Sequence, residues 1–323
     1  MKVFITARLP REILAGIALE HSIEAYGEDP PIGRDEFLAG VEGKDGLLCT
    51  ITDRVDSEVF ERAPGLRIVA NNGVGFDHID IEAATRRGIP VTNTPGVLTD
   101  STADLTFALM LAAARRVVEG DAITRSGKFR FWSPFHFLGR DISGSKLGIV
   151  GFGRIGRAVA KRAAGFDMEV LYFSRTPLKK DEEEKLGVRF APLDELLKES
   201  DFVSLHIPLS RDTRHLISER ELAMMKDSAC LINTARGPIV DEKALVEALR
   251  HRRIMAAALD VYENEPELSP GLTELDNVIL MPHSGSATIQ TRTRMALMAA
   301  DNLLAALRGQ RPPNCLNWDA LNR

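Results

Sequence analysis

The sequence predicts an α/β protein of two doubly wound parallel-sheet domains with an active-site cleft between them, and three observations carry that expectation. Glycines 151, 153 and 156 stand at GxGxxG spacing between an apolar run at 147–150 and a stretch in which Ile155, Val159 and Ala163 recur at helical intervals. Short apolar runs alternate with helical patterns along most of the chain, as in parallel sheets covered on both faces. Breaks near Pro95 and near His283 then divide the chain, so that residues 1–98 and 288–323 form one domain and residues 99–287 the other.

The first domain opens with a strand at 2–6 and a helix at 11–19, entered through Pro10 and striped by Ile13, Leu14, Ile17 and Ala18. A buried strand at 46–51 precedes a helix that Asp56 could cap. Strands at 66–71 and 89–92 flank a helix at 80–87 that Gly88 can terminate. The turn 72–77 reads NGVGFD. Its glycines leave backbone N–H groups able to face an anion, and a plain turn is the equal alternative on spacing alone.

A long helix at 99–118 leads into the second domain. The loop-like stretch 129–138, FRFWSPFHFL, holds five aromatic residues; we expect a subunit contact there and hence a homodimer, with packing against its own chain as the alternative. Strands follow the one at 147–150 at 169–173, 188–191, 202–207, 229–234, 256–261 and 277–282, with helices at 154–164, 218–226 and 241–252. A last helix at 288–307 returns to the first domain, so the two breaks would form a hinge.

Composition excludes several classes of function. Of 323 residues 44% are hydrophobic and 27% charged, and the net charge is −5 with both signs mixed in the one dense run at 179–185. Neither nucleic acid nor a membrane is an expected partner. The longest apolar run, 105–114, is well short of the ~20 residues a span needs. Cys49, Cys230 and Cys315 are far apart and match neither a metal site nor a disulfide framework, so reduced thiols in the cytoplasm and no metal are expected.

The glycine pattern specifies a dinucleotide site. The first glycine permits a sharp turn, the second lets backbone approach a pyrophosphate, and the third lets helix pack on strand, with the phosphates at the helix N-terminus. The tip of the second strand separates the two nicotinamide cofactors. An acidic side chain there reads the ribose hydroxyls of NAD, whereas this chain has Ser174, Arg175 and Thr176, with Lys179 and Lys180 beyond. A hydroxyl and a guanidinium suit a 2′-phosphate, so NADP(H) is the expected cofactor and NAD(H) the alternative.

Three later strands end in chemistry at the edge where such sheets bind ligands. One runs into Ala235 and Arg236, one ends at Asp260 and leads to Glu263 and Glu265, and one ends at Pro282 and His283. Singly these are a salt bridge, a loop charge and a strand-end histidine. Jointly they make a proton-transfer pair with an anion clamp beside a nicotinamide.

The segments GFGRIG, NTARGPIVD, ALDVYENEP and MPHSGSAT resemble the D-isomer-specific 2-hydroxyacid dehydrogenase family, and the likeness runs over essentially the full chain. The segments DGLLCTITDRVD, NNGVGFDHID, YFSRTP and HSGSATIQTRTRMALMAADNLLAALRG are most similar to its glyoxylate/hydroxypyruvate reductase branch. The resemblance implies two Rossmann-like domains and reduction of a small 2-oxoacid substrate to the D-2-hydroxyacid. Arg236 would bind the substrate carboxylate and keto oxygen, helped by the N–H groups of Val74 and Gly75. His283 would be the general acid in reduction, paired with Glu265. Asp260 would hold the carboxamide, Arg154 and Ile155 would meet the pyrophosphate, and Thr102, His206, Pro208, Thr234, Ala235, His283 and Gly285 would line the cofactor. In the phosphoglycerate dehydrogenase branch an arginine lies just before the glycine turn. Asn71 and Asn72 stand there instead, which favours an unphosphorylated acid such as glyoxylate or hydroxypyruvate. The alternatives are an NADH-linked enzyme for another 2-keto acid (2-ketogluconate, pyruvate or phosphohydroxypyruvate) and a dinucleotide-sensing protein like the C-terminal binding protein corepressors, which share the fold.

Overall fold

The computed structural model describes residues 1–28 and 31–321. The chain divides into two compact units, Met1–Leu98 with Ala287–Arg323, and Thr99–Ser286.

The first unit holds five parallel strands, β1 (Lys2–Ile5), β2 (Ser22–Ala25), β3 (Gly46–Cys49), β4 (Ile68–Asn71) and β5 (Val91–Thr92), in the order β2-β1-β3-β4-β5. Strand side chains alternate between faces, and the sequence supplies apolar residues for both. Val3, Ile5, Leu48, Ile68 and Ala70 pack with the helices Arg11–Ala18 and Ile289–Leu307. On the other face Phe4, Leu47, Cys49 and Val69 pack with Arg34–Val41, Ser57–Arg62 and Ile81–Arg86. The last helix therefore belongs to this unit's core, through Ala296, Ala299, Ala300, Leu303 and Leu307.

The second unit holds seven parallel strands, β6 (Lys146–Val150), β7 (Glu169–Phe173), β8 (Val188–Phe190), β9 (Phe202–Leu205), β10 (Cys230–Asn233), β11 (Ala256–Leu259) and β12 (Val278–Leu280). Their order, β12-β11-β10-β9-β6-β7-β8, reverses direction between β6 and β9, which is where a doubly wound sheet opens a ligand crevice beyond its carboxyl edge. Leu147, Ile149, Tyr172, Phe202, Cys230 and Ile232 face one core; Val150, Leu171, Val203, Leu205, Leu231 and Leu259 face the other. Both units are thus parallel α/β layers of the expected Rossmann-like class.

Several elements differ from the sequence reading. The helix expected at 99–118 stops at Arg115, because Arg116 takes a left-handed conformation (φ 54°) and starts a second helix, Val117–Arg125. The alanine- and leucine-rich run ends at Ala114, and Arg115 and Arg116, themselves good helix formers, give no local sign of the turn. Helices Arg34–Val41, Lys180–Leu186 and Leu193–Glu199 and strand β2 were not anticipated. Two of these segments are short and charged, and β2 is an edge strand with little burial, so their apolar period is weak. Asp56 stands at the N-cap position of Ser57–Arg62 but its side chain makes no capping hydrogen bond; its carboxylate is bridged instead by Arg34 at 2.7 Å and Arg54 at 3.0 Å. Cys49 and Cys230 are buried, Cys315 is half-buried, and all three are free. No described helix is long and apolar enough to cross a membrane.

Candidate active site

The glycine turn of the second unit is built as its spacing requires. Gly151 has φ 99°, and a Cβ there would lie 2.5 Å from the carbonyl oxygen of His206, so β6 and the end of β9 approach too closely for a side chain. A Cβ on Gly156 would lie 2.2 Å from the Gly151 oxygen, which fixes how near the helix Arg154–Ala163 comes to its strand. Around Gly153 there is open space. Gly153 is also the N-cap of that helix, and no side chain caps it. The first-turn N–H groups, with those of Arg154 and Ile155 among them, are left for a ligand.

Other expected contacts surround this turn. His206 follows β9, and its Nε2 is 2.8 Å from Ser204 Oγ while its buried Nδ1 has no partner. Burial lowers its pKa to about 3, so the ring is neutral and Nδ1 is an orphaned buried polar atom. Pro208 is exposed two residues on. At the tip of β7, Ser174 Oγ donates to the Thr176 carbonyl at 2.7 Å, and the exposed Arg175 has no ion-pair partner among the described residues. The glycine cradle, the uncapped helix and the orphaned His206 nitrogen fit a dinucleotide.

The residues after β10, β11 and β12 are locked to one another. His283 Nδ1 donates to Glu265 Oε2 at 2.7 Å, since an ionised carboxylate only accepts. The other oxygen, Oε1, accepts from the Tyr262 N–H at 2.9 Å. Burial alone would raise the Glu265 carboxyl, but the His283 hydrogen bond and charge, the Tyr262 N–H and the charge of Arg236 outweigh it and hold the group below the usual glutamate range. Arg236 therefore lies close enough to act on the same carboxylate.

Backbone explains how these loops meet. A Cβ on Gly237 would lie 1.8 Å from the carbonyl carbon and oxygen of Tyr262, so the arginine loop and the glutamate loop touch main chain to main chain. The Asn233 amide folds the first loop, donating to the Arg236 carbonyl at 2.9 Å and accepting from the Ala235 N–H at 3.1 Å. Glu242, itself buried, takes the Glu263 N–H and the Ser269 hydroxyl, both at 2.6 Å, and so pins both ends of the loop that carries Glu265.

His283 has φ 49°, a left-handed conformation that costs an L-residue about 1 kcal/mol. Asp260, 1% exposed, over-determines it. The Asp260 carbonyl accepts the His283 N–H at 2.9 Å, and its carboxylate accepts the Ser284 N–H at 2.7 Å and the Gly285 N–H at 2.8 Å. Both carboxylate oxygens are thereby engaged in holding the histidine loop. Thr102 donates to the Gly285 carbonyl at 3.3 Å, and Thr234 meets Thr106 at 3.0 Å, which ties the helix Thr99–Arg115 to the same edge. Sequence reasoning missed Asn233, Gly237, Glu242 and Thr106. Only Gly237, directly after the arginine, left a trace.

In the first unit the turn after β4 has three carbonyls fixed. Gly73 O accepts from the Thr94 N–H at 3.0 Å and Asn71 Nδ2 at 3.2 Å, Val74 O from Asn93 Nδ2 at 2.8 Å, and Gly75 O from Asn71 Nδ2 at 2.7 Å. The N–H groups of Val74, Gly75 and Phe76 find no acceptor among the described residues. No group of three or more His, Cys, Asp or Glu among the described residues could hold a metal ion.

Comparison with known proteins settles the lineage. Residues 107–285 match the profile of the D-isomer specific 2-hydroxyacid dehydrogenase NAD binding domain. The chain belongs to that family. A glyoxylate reductase of Thermococcus litoralis is 51% identical over 99% of this chain and 98% of its own. The crystal structure of the TT0316 protein of Thermus thermophilus superposes with a TM-score of 0.92 at 50% identity, over 98% of this chain and 100% of that one. An NADPH-dependent glyoxylate/hydroxypyruvate reductase of Sinorhizobium meliloti, solved with NADP and malonate, gives 0.84 at 29% identity over 98% and 96%. As a family member this protein is an NAD(P)-dependent oxidoreductase, closely related to the glyoxylate/hydroxypyruvate reductases.

Proposed function

We propose that this dehydrogenase reduces glyoxylate to glycolate and hydroxypyruvate to D-glycerate, with NADPH preferred. The observation that carries the reading is the His283–Glu265 pair, fixed by the Tyr262 N–H on the carboxylate and by the Asp260 carbonyl that accepts the His283 N–H, within reach of the Arg236 charge. Reduction of a 2-oxoacid requires a hydride at C2 and a proton at the keto oxygen. Bound NADPH supplies the hydride. His283 releases its Nε2 proton to the keto oxygen, while Glu265 keeps Nδ1 protonated and the ring oriented. Arg236 and the N–H groups of Val74 and Gly75 hold the substrate carboxylate, and the guanidinium offsets negative charge growing on the keto oxygen. Gly151, Gly153, Arg154, Ile155 and Gly156 would hold the dinucleotide's pyrophosphate, Thr102, His206, Pro208, Thr234, Ala235, Asp260 and Gly285 would line the cofactor, and Ser174, Arg175 and Thr176 would bind a 2′-phosphate.

NADPH preference draws support from the unpaired Arg175 and from the NADPH-dependent relative of Sinorhizobium meliloti. Homodimerisation draws support from the exposed aromatic stretch, in which Trp132 is 78% and Phe135 86% exposed with Phe129, Phe131 and Leu138 beside them. Light scattering that gives the mass of a single chain would remove the dimer. The deciding experiment is a steady-state panel of glyoxylate, hydroxypyruvate, pyruvate, phosphohydroxypyruvate and 2-ketogluconate, each with NADPH and NADH. Highest kcat/KM on glyoxylate or hydroxypyruvate is expected, and Arg175→Ala should cut the NADPH/NADH ratio roughly tenfold, the effect of ~1.4 kcal/mol from one charge-assisted contact. A higher kcat/KM on 2-ketogluconate, or an unchanged cofactor ratio, would overturn the corresponding half of the proposal.

A further inference from the structure

Asn71 is 0% exposed at the end of β4, and its side chain turns back beneath the glycine turn that follows. Both protons of the one Nδ2 group are spent there, on the Gly75 carbonyl at 2.7 Å and the Gly73 carbonyl at 3.2 Å. Its Oδ1 is buried with no partner, an arrangement that leaves an acceptor unsatisfied so that two donors can be placed. Asn93, the residue after β5, holds the intervening Val74 carbonyl, and Asn302 of the last helix donates to the Asn93 carbonyl at 3.3 Å.

A trans peptide is planar, with the carbonyl of one residue and the N–H of the next pointing in opposite directions. Carbonyls 73, 74 and 75 drawn inward therefore turn the N–H groups of Val74, Gly75 and Phe76 outward together. Three outward N–H groups on successive residues form an anion-binding concavity. A Cβ on Gly73 would lie 3.0 Å from Ile51 Cγ2 and 3.4 Å from Asn71 Oδ1, so the turn already rests on these side chains with no slack.

We infer that Asn71 is a positioning residue of the reductase: it touches no substrate, and by holding the carbonyls of Gly73 and Gly75 it aims the N–H groups that bind the substrate carboxylate. The inference rests on the roles proposed above for Val74 and Gly75. It also explains the substrate class, because an amide folded inward offers nothing to a phosphate, whereas a long cation at this position would reach outward.

The test compares wild type with Asn71→Asp, which keeps the shape and removes both donors, and with the milder Asn71→Ser, which keeps one hydroxyl donor. KM and kcat for glyoxylate, Ki for the carboxylate analogue oxalate, Kd for NADPH and Tm are measured. A carboxylate site acts on ground state and transition state alike, so KM and Ki should rise 10- to 100-fold in Asn71→Asp while kcat stays within about threefold. NADPH affinity should hold, and Asn71→Ser should fall between. Unchanged KM and Ki in both variants overturn the inference, as does a parallel loss of kcat, NADPH affinity and Tm. If wild type prefers another 2-oxoacid, the substrate proposal fails by itself, and the same comparison made with that acid still decides the role of Asn71.

Discussion

The turn after β4 and the loops after β10, β11 and β12 both lie at the carboxyl ends of parallel strands, yet they offer opposite kinds of chemistry. The loops of the second unit present side chains, an arginine, a glutamate and a histidine, and their main chain is pinned from behind by the carboxylates of Asp260 and Glu242. The turn of the first unit presents main-chain N–H groups, and its carbonyls are pinned from behind by the amides of Asn71 and Asn93. Polarity accounts for the exchange. A carboxylate gathers N–H groups and leaves side chains to act, whereas an amide donor gathers carbonyls and leaves N–H groups to act.

The largest effect expected from breaking the side-chain site is at the proton donor proposed for it. His283→Ala should lower kcat by roughly 10² to 10⁴. Because the imidazole itself holds no part of the glycine cradle, NADPH binding measured by fluorescence titration should persist; turnover near wild type would remove His283 from the chemistry. The same substitution leaves the turn after β4 untouched, so oxalate should still bind the binary complex, although more weakly.

Gly237→Ala probes the main-chain contact on which that site depends. A Cβ placed 1.8 Å from the Tyr262 carbonyl has no flexible neighbour to displace, so the loops carrying Arg236 and Glu265 must separate. We expect a loss of at least about 2 kcal/mol in denaturant-measured stability with kcat/KM falling more than tenfold. Gly153→Ala supplies the contrast, since its Cβ enters open space: stability should be kept and NADPH affinity reduced. Equal stability loss in both would contradict the assignment of glycine roles.

The smallest effect concerns pH. The Glu265 carboxyl is lowered in the folded protein, so it stabilises the fold above the ordinary glutamate pKa of ~4.3, and that contribution disappears as pH falls through the lowered value. Glu265→Gln should therefore be less stable than wild type at pH 7, on the order of 1 kcal/mol, and the two should converge below about pH 4. A difference that persists undiminished at acid pH would place the effect in packing and not in the charge of this pair.

What could be read in the chain beforehand follows the same division. GFGRIG announced its turn because its glycines stand between an apolar strand and a helical pattern; Gly151 and Gly156 meet the close approaches expected of them, and Gly153 stands beside open space. Arg236, Glu265 and His283 were visible as reactive side chains following apolar strands. Arg116 was not visible as a helix break, because arginine itself favours helix and its residue type does not announce a left-handed conformation.

By itself the sequence determined the class of sheet, through two-sided apolar strands, and the inventory of chemical groups at its edge, since both follow from local pattern and residue type. Only the tertiary structure decided which way each polar group faces. Asp260 and Glu242 are carboxylates no different in composition from Glu265, but they face inward onto loop N–H groups while Glu265 faces the imidazole. Asn71 likewise reads as a free amide beside a glycine turn until its contacts are known. The orientation of a polar side chain is set by partners distant in sequence, and no local pattern encodes it.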